Sequence, residues 1–276
     1  MNETSAHTST ESSLLLLMLA AAVVVFAAHV SLGWIRETQR QPNLKESWKG
    51  LLQAAFSMGT GLSSCAVLAL SSEAMPFPLG YQFSRVLLLW GGSMLACLPI
   101  CYWLMRSHGV VAILGSGVLL AVVAAGVQAG WVLAVGFRPG VFWRTEFVVA
   151  AVVLLMLGLT TAIAIANSDP ALKGRRRQLW RFGGAAMLGL SVVIGQEVLL
   201  AGAGLLAQVS SVYKNHVPAS VVCLAAGAVL PLLQSVMAID LELRRRARRR
   251  RRGKAASTSS RMPLPIDKPQ TPAPGN

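Results

Sequence analysis

Apolar residues fill seven long runs of this chain, separated by stretches rich in polar residues, glycine and proline. The runs are Leu14 to Leu32, Leu51 to Leu70, Val86 to Met105, Val110 to Val135, Phe147 to Ala166, Gly183 to Gln208 and Ala219 to Ile239. Each is long enough to cross a bilayer core of about 30 Å, which a helix traverses at about 1.5 Å per residue. Inside lipid every backbone amide needs a partner within its own segment, so each run is predicted to be helical. The predicted fold is an all-α transmembrane bundle of seven helices over residues 14–243. An external segment, 1–13, precedes it and a tail, 244–276, follows it. With 54% of 276 residues hydrophobic, the spans leave no room for a soluble domain of ordinary size.

Charge orients the bundle. Met1 to Ser13 carries Glu3 and Glu11 but no Lys or Arg, which reads as a retained first helix rather than a cleaved signal. With the N-terminus outside, 21 of the 25 basic residues fall in cytoplasmic loops and the C-terminal tail. Only Arg85, Arg138, Arg144 and Lys214 stay outside, a strong positive-inside bias. Trp34, Trp48, Trp103 and Trp180 are expected at inner interfaces, and Trp90 and Trp143 at outer ones. Pro99 and Pro231 lie inside helices three and seven and are expected to kink them.

The tail changes composition. Arg244 to Arg252 is almost all arginine, and Ser, Thr and Pro dominate beyond it. Such a segment is expected to be disordered. Tethered beside a membrane, it reads as a topological anchor and a partner for anionic lipid headgroups, at about 1 kcal/mol per basic side chain near the surface. A nucleic-acid partner is not expected.

Chemical motifs are scarce. Gly59-Thr60-Gly61 and Gly115-Ser116-Gly117 sit inside spans and lack the third glycine of a dinucleotide fingerprint. Neither a Walker loop nor a paired-cysteine zinc signature nor a nucleophile elbow is present. Gly126 and Gly130 have the spacing of a close helix contact. Helices two, four and six, all running outward, each pair with a returning helix, which suggests a helix-pair unit used three times.

Two segments carry a family resemblance. Gly59-Thr60-Gly61-Leu62-Ser63-Ser64-Cys65-Ala66, followed by Met75-Pro76-Phe77-Pro78-Leu79-Gly80-Tyr81, resembles the first repeat of the MHYT family of membrane sensors. There the pattern is roughly GxGIWSMH, then LPxPVxYD. Helix six, with Gly189, Gly195, Gln196 and Glu197, resembles the third repeat, and helix four the second by position. The resemblance implies a seven-helix sensor of the bacterial cytoplasmic (inner) membrane, whose Met and His residues near the outer face hold copper. Many members continue into cyclic-dinucleotide enzymes. This chain departs from the pattern. The His positions fall at Ala66, at Gln128 or Ala129, and at Gln196 or Glu197; the first Met position is Cys65. The only histidines are His7, His29, His108 and His216, none of them in an outgoing helix.

Copper(I) prefers thiolate and thioether ligands, so any residual site would use Cys65, Met75 and Cys223. Buried cysteines usually only pack, and the expectation is no bound cofactor. Cys97 and Cys101 share one face of helix three and are not expected to form a disulfide. Glu197 stands out, because a carboxylate within a span costs about 2.5–3.5 kcal/mol on insertion scales and must face the interior. It is expected to be neutral, or paired with Gln196 or Gln128. His29, toward the inner end of helix one, reads as a packing residue or a second functional candidate. No acid, base and nucleophile cluster in sequence, so an enzyme is not expected. Two functions stay open. One is a stand-alone sensor or signalling protein that moves its helices against a cytoplasmic partner. The other is a small proton-linked transporter built on Glu197.

Overall fold

A computed structural model of the chain describes residues 3–39, 44–73, 79–107, 109–138, 141–167, 175–205, 210–211 and 216–259. Its helices are α1 (Glu3–Gln39), α2 (Leu44–Ser72), α3 (Phe83–Arg106), α4 (Val110–Ala134), α5 (Thr145–Asn167) and α6 (Arg175–Ala201). The last crossing is composite: α7 (Ala219–Leu224), a π-helical segment (Ala225–Val229) and α8 (Leu230–Ser259). Among the described residues, seven helices are long and apolar enough to span a membrane, as expected for a multi-pass membrane protein.

The second helix is the hub. Of its most apolar stretch 89% is buried inside the protein, against 17% for the final span. Two features make that burial tolerable. Gly59 lets the α3 backbone approach so closely that a Cβ there would sit 2.6 Å from the Met94 amide nitrogen. Hydroxyls then tie α2 to its neighbours. Ser57 Oγ donates to the Ala27 carbonyl at 2.9 Å, Ser63 Oγ donates to Ser93 Oγ at 2.9 Å, and Gln234 Nε2 donates to Thr60 Oγ1 at 2.9 Å. In lipid, where apolar burial gives helices little reason to associate, such close packing and hydrogen bonding hold them together.

The loops after α2, α4 and α6 are joined at one end by three antiparallel strand pairs. β1 (Gly80–Tyr81) pairs with β6 (Val217–Pro218), β2 (Phe137–Arg138) with β5 (Ser210–Ser211), and β3 (Val141–Trp143) with β4 (Ala203–Leu205). Gly136, at φ 67°, makes the left-handed turn from α4 into β2. Each pair links loops distant in sequence, so this end is cross-braced.

Several expectations need correction. The first helix begins at Glu3, not Leu14, so the external segment is largely helical. The sixth ends at Ala201 instead of continuing to Gln208, because the chain turns at Gly202 and joins the β3–β4 pair. Over Arg244–Ser259 the expected disordered tail continues α8. Arginine and alanine are strong helix formers, and Asp240–Arg244 and Glu242–Arg246 ion pairs one turn apart add support. The rest of the tail lies outside the described residues. Gly126 is exposed with nothing near its missing Cβ, so it makes no helix contact. Trp34 is fully buried, not interfacial: Arg244 lies over its ring at 5.2 Å. Pro231 has no amide proton to offer the Gly227 carbonyl, and the π-helical segment immediately precedes it.

Candidate functional site

Helices α2, α4 and α6 touch one another, and all three run toward the strand-braced end. Cys65, Gln128 and Gln196 each lie within about two turns of their helix ends, hence at similar depth.

Gln128 Nε2 donates to the Val192 carbonyl across the α4–α6 interface at 2.9 Å. Gln196 sits one turn beyond Val192 on the same face of α6, and Trp131 one turn beyond Gln128 on α4. Gln128 is 1% exposed, while Gln196 and Trp131 are fully buried. Four of their polar atoms are buried without a hydrogen-bond partner: Gln128 Oε1, Gln196 Oε1, Gln196 Nε2 and Trp131 Nε1. Leaving such a group unsatisfied costs about 1–3 kcal/mol.

An aromatic stack surrounds Trp131 near the strands. The Trp131 ring packs edge-on against Tyr81 at 5.6 Å and Trp90 at 5.4 Å. Trp90 thus belongs to an internal stack more than to an interface. Burial pushes the Tyr81 phenol above its ordinary range, and Cys223 adds to the shift. The Ser71 hydroxyl opposes it, although it is not placed to hydrogen-bond the phenol oxygen.

Glu197 is half-buried, with one carboxylate oxygen buried and unpartnered. Neighbouring residues on a helix diverge by about 100°, so Glu197 points away from the Gln196–Gln128 interface. The expected pairing of Glu197 with Gln196 or Gln128 does not form.

The soft-ligand set also separates. Cys65 is fully buried, whereas Cys223 Sγ donates to Ser71 Oγ at 3.0 Å. Ser71 lies about 120° round α2 from Cys65, so the two thiols serve different faces. Met75 lies outside the described residues. His29, half-buried, packs near the Phe182 ring at 6.4 Å in the basic half of the bundle, away from Glu197. Cys97 and Cys101 are buried free thiols. Among the described residues no group of three His, Cys, Asp or Glu side chains is placed to hold a metal ion. One thiol beside two carboxamides and a carboxylate does not fit copper(I), which favours soft sulfur and imidazole donors.

At the opposite, basic end, the extension of α8 docks on α1. Arg248 Nε is 3.1 Å from a carboxylate oxygen of Glu37, which is only 3% exposed, and Arg245 reaches the Gly33 carbonyl at 3.5 Å. Trp131 and Glu37 were not singled out by the sequence, and Tyr81 only as the last residue of the first-repeat resemblance. The Gln128–Trp131 spacing, one turn on α4, was the available sign of the first.

The chain matches no family model, no curated protein and no solved structure.

Proposed function

We propose that the chain is a non-enzymatic, stand-alone sensor of the bacterial cytoplasmic membrane, resembling the MHYT family in architecture but without its copper site. In this reading the N-terminus and the strand-braced end face outward, and the basic extension of α8 faces the cytoplasm. The observation that supports it is the set of buried, unpartnered polar atoms of Gln128, Trp131 and Gln196, on two helices that both touch α2. Evolution rarely retains such a cost without a use, and buried polar groups within spans are functional candidates by default. The final span supplies an output element. It is the least buried, it touches α2 through the Gln234–Thr60 bond, and it continues without interruption into the arginine-rich extension. A change at these buried amides that shifts α2 would move the extension against α1, in view of a cytoplasmic partner or anionic lipid.

The test is a distance. Spin labels at Arg106→Cys and Ala247→Cys, both exposed positions, report the extension against α3 in the full chain held in lipid nanodiscs. Replacing the buried amide by Gln196→Leu is expected to shift the distance distribution. An unchanged distribution would count against signalling through this helix.

Glu197 favours a second reading, a proton-linked carrier, because its carboxylate is half-buried with an unpartnered oxygen. That reading requires proton flux in proteoliposomes that disappears with Glu197→Gln.

A further inference from the structure

The final span stands away from α3. Both helices rest on α2, yet among the described residues they make no substantial contact with each other. The α3 backbone is drawn onto α2 where it passes Gly59, and α8 is tied to α2 by the 2.9 Å Gln234–Thr60 hydrogen bond. Between them lies a groove of about 670 Å³ with α2 as its floor. Leu52, Gln53 and Phe56 line it from α2, Gly91 and Leu95 from α3, and Val236 from α8. Leu52, Leu95 and Val236 are each more than half exposed, so the mouth opens sideways onto the surface that lipid covers.

The lining restricts the occupant. It holds no Lys, Arg, Asp or Glu, and Gln53 is its one polar residue. Gln53 stands six residues into the span that starts at Ser47, about 9 Å from that end. A charged molecule at that depth would meet no counter-charge and is excluded. Gln53 Oε1 is buried without a hydrogen-bond partner among the described residues. A hydroxyl both donates and accepts, so it satisfies this amide whichever way the carboxamide is turned. Small-molecule sites have this character: hundreds of Å³, mostly apolar, with a polar group to fix orientation. A second copy of the chain fits poorly. The α3 lining, from Gly91 to Leu98, runs only about 10 Å, whereas a spanning helix needs a groove along about 30 Å.

We propose that the groove between α3 and α8 binds a compact, uncharged, lipid-soluble molecule bearing a hydroxyl group, which enters from the bilayer and hydrogen-bonds the Gln53 carboxamide. The inference goes beyond the sensor reading and rests on it only for the ligand's being a signal. Such an occupant stands between α3 and the output helix.

The experiment uses the full chain in lipid nanodiscs and a matched pair of probes, para-hexylphenol and its methyl ether, para-hexylanisole. The two have similar shape, but only the phenol can donate. Titration of each is followed by the rise in the thermal unfolding midpoint. The expected result is a saturable rise, with the phenol bound at least about fivefold more tightly than the ether. Gln53→Leu is expected to remove that preference while the ether binds as before. Gly91→Leu adds apolar volume at the groove where no protein atom lies within 4 Å of the new Cβ, and is expected to weaken both probes. If Gln53→Leu fails to fold, the phenol–ether ratio in the wild type and in Gly91→Leu decides. Equal affinity for the two probes would overturn the proposal. So would a response that does not saturate or is the same in Gly91→Leu, which marks simple partitioning into lipid. A dimer with a second copy seated in the groove, or a phospholipid tail that the phenol does not displace, would overturn it as well. The label pair at Arg106→Cys and Ala247→Cys, read with and without the phenol, keeps the two readings apart. Phenol binding with no change in distance counts against sensing and leaves the site standing. A shift produced by Gln196→Leu without any phenol binding overturns the site and leaves sensing intact.

Discussion

Gly59 opens the segment whose glycine spacing resembles the sensor family, and its role here is steric. Gly59→Ala would place a Cβ 2.6 Å from the Met94 amide nitrogen, 2.7 Å from its Cα and 2.8 Å from the Ser93 carbonyl carbon. These are backbone atoms, so no side-chain rotation relieves the clash. Ordinary contact requires α2 and α3 to separate locally by roughly 0.8 Å, a gap that forfeits a quarter to a half of each affected dispersion well. The separation also stretches the Ser93 Oγ bond to the Gly59 carbonyl (3.0 Å) and the Ser63–Ser93 bond (2.9 Å). Overpacking of this kind costs about 1–3 kcal/mol, against which alanine recovers up to about 1 kcal/mol of helix propensity. The expected net is a loss of roughly 1–2 kcal/mol. Gly126→Ala is the matched control, since nothing lies within 4 Å of the Cβ it would add. It is expected to be neutral or to stabilise by about 0.5–1 kcal/mol. Thermal unfolding of both variants in one detergent, followed by loss of the monodisperse peak, gives the comparison. Equal midpoints for the two variants would refute the close-approach argument.

Three further outcomes are expected. Arg248→Ala leaves the buried Glu37 carboxylate without its ion partner; because Arg248 is itself a third exposed, the expected loss is about 1–3 kcal/mol, below that of a fully buried pair. Faster hydrogen exchange confined to the α8 extension and the inner end of α1 would accompany it, and unchanged exchange there would argue against docking. Tyr81 has a phenol raised on folding, so the folded state keeps its proton when the unfolded chain begins to lose it near pH 10. Stability is therefore expected to fall as pH rises above about 10, and Tyr81→Phe should flatten that slope, as chemical denaturation at two alkaline pH values would reveal. Purified protein is expected to hold no stoichiometric copper, and Cys65→Ala to leave metal content unchanged; one copper per chain, lost in the variant, would restore a metal site.

Much of the candidate site was partly legible. Glu197, Gln196 and Gln128 were readable because a polar side chain in an apolar run is conspicuous in any sequence. Their partners were not. That Gln128 bonds the Val192 carbonyl, and that Glu197 pairs with neither glutamine, depends on helix rotation about the long axis. A uniformly apolar span carries little information about that rotation, because lipid and protein neighbours are both apolar. The same ambiguity hid Gly126, which has a packing residue's spacing but faces outward. Trp34 was misplaced for a related reason: an aromatic at a helix end suits an interface, but here an arginine from another helix covers it.

The sequence by itself determined that seven segments are long and apolar enough to cross a membrane and that one end of the bundle is basic. Transfer of a residue into lipid depends on that residue and a few neighbours, so composition along the chain was enough. The tertiary structure alone decided which helix is the hub, which loops are stapled by strands, where α6 stops and where the arginine-rich helix docks. Each of these sets groups far apart in sequence against one another, as when Ala203–Leu205 meets Val141–Trp143 or Glu37 meets Arg248. Such pairings are selected by shape and by the need to satisfy buried polar groups, and neither is a property of any single segment.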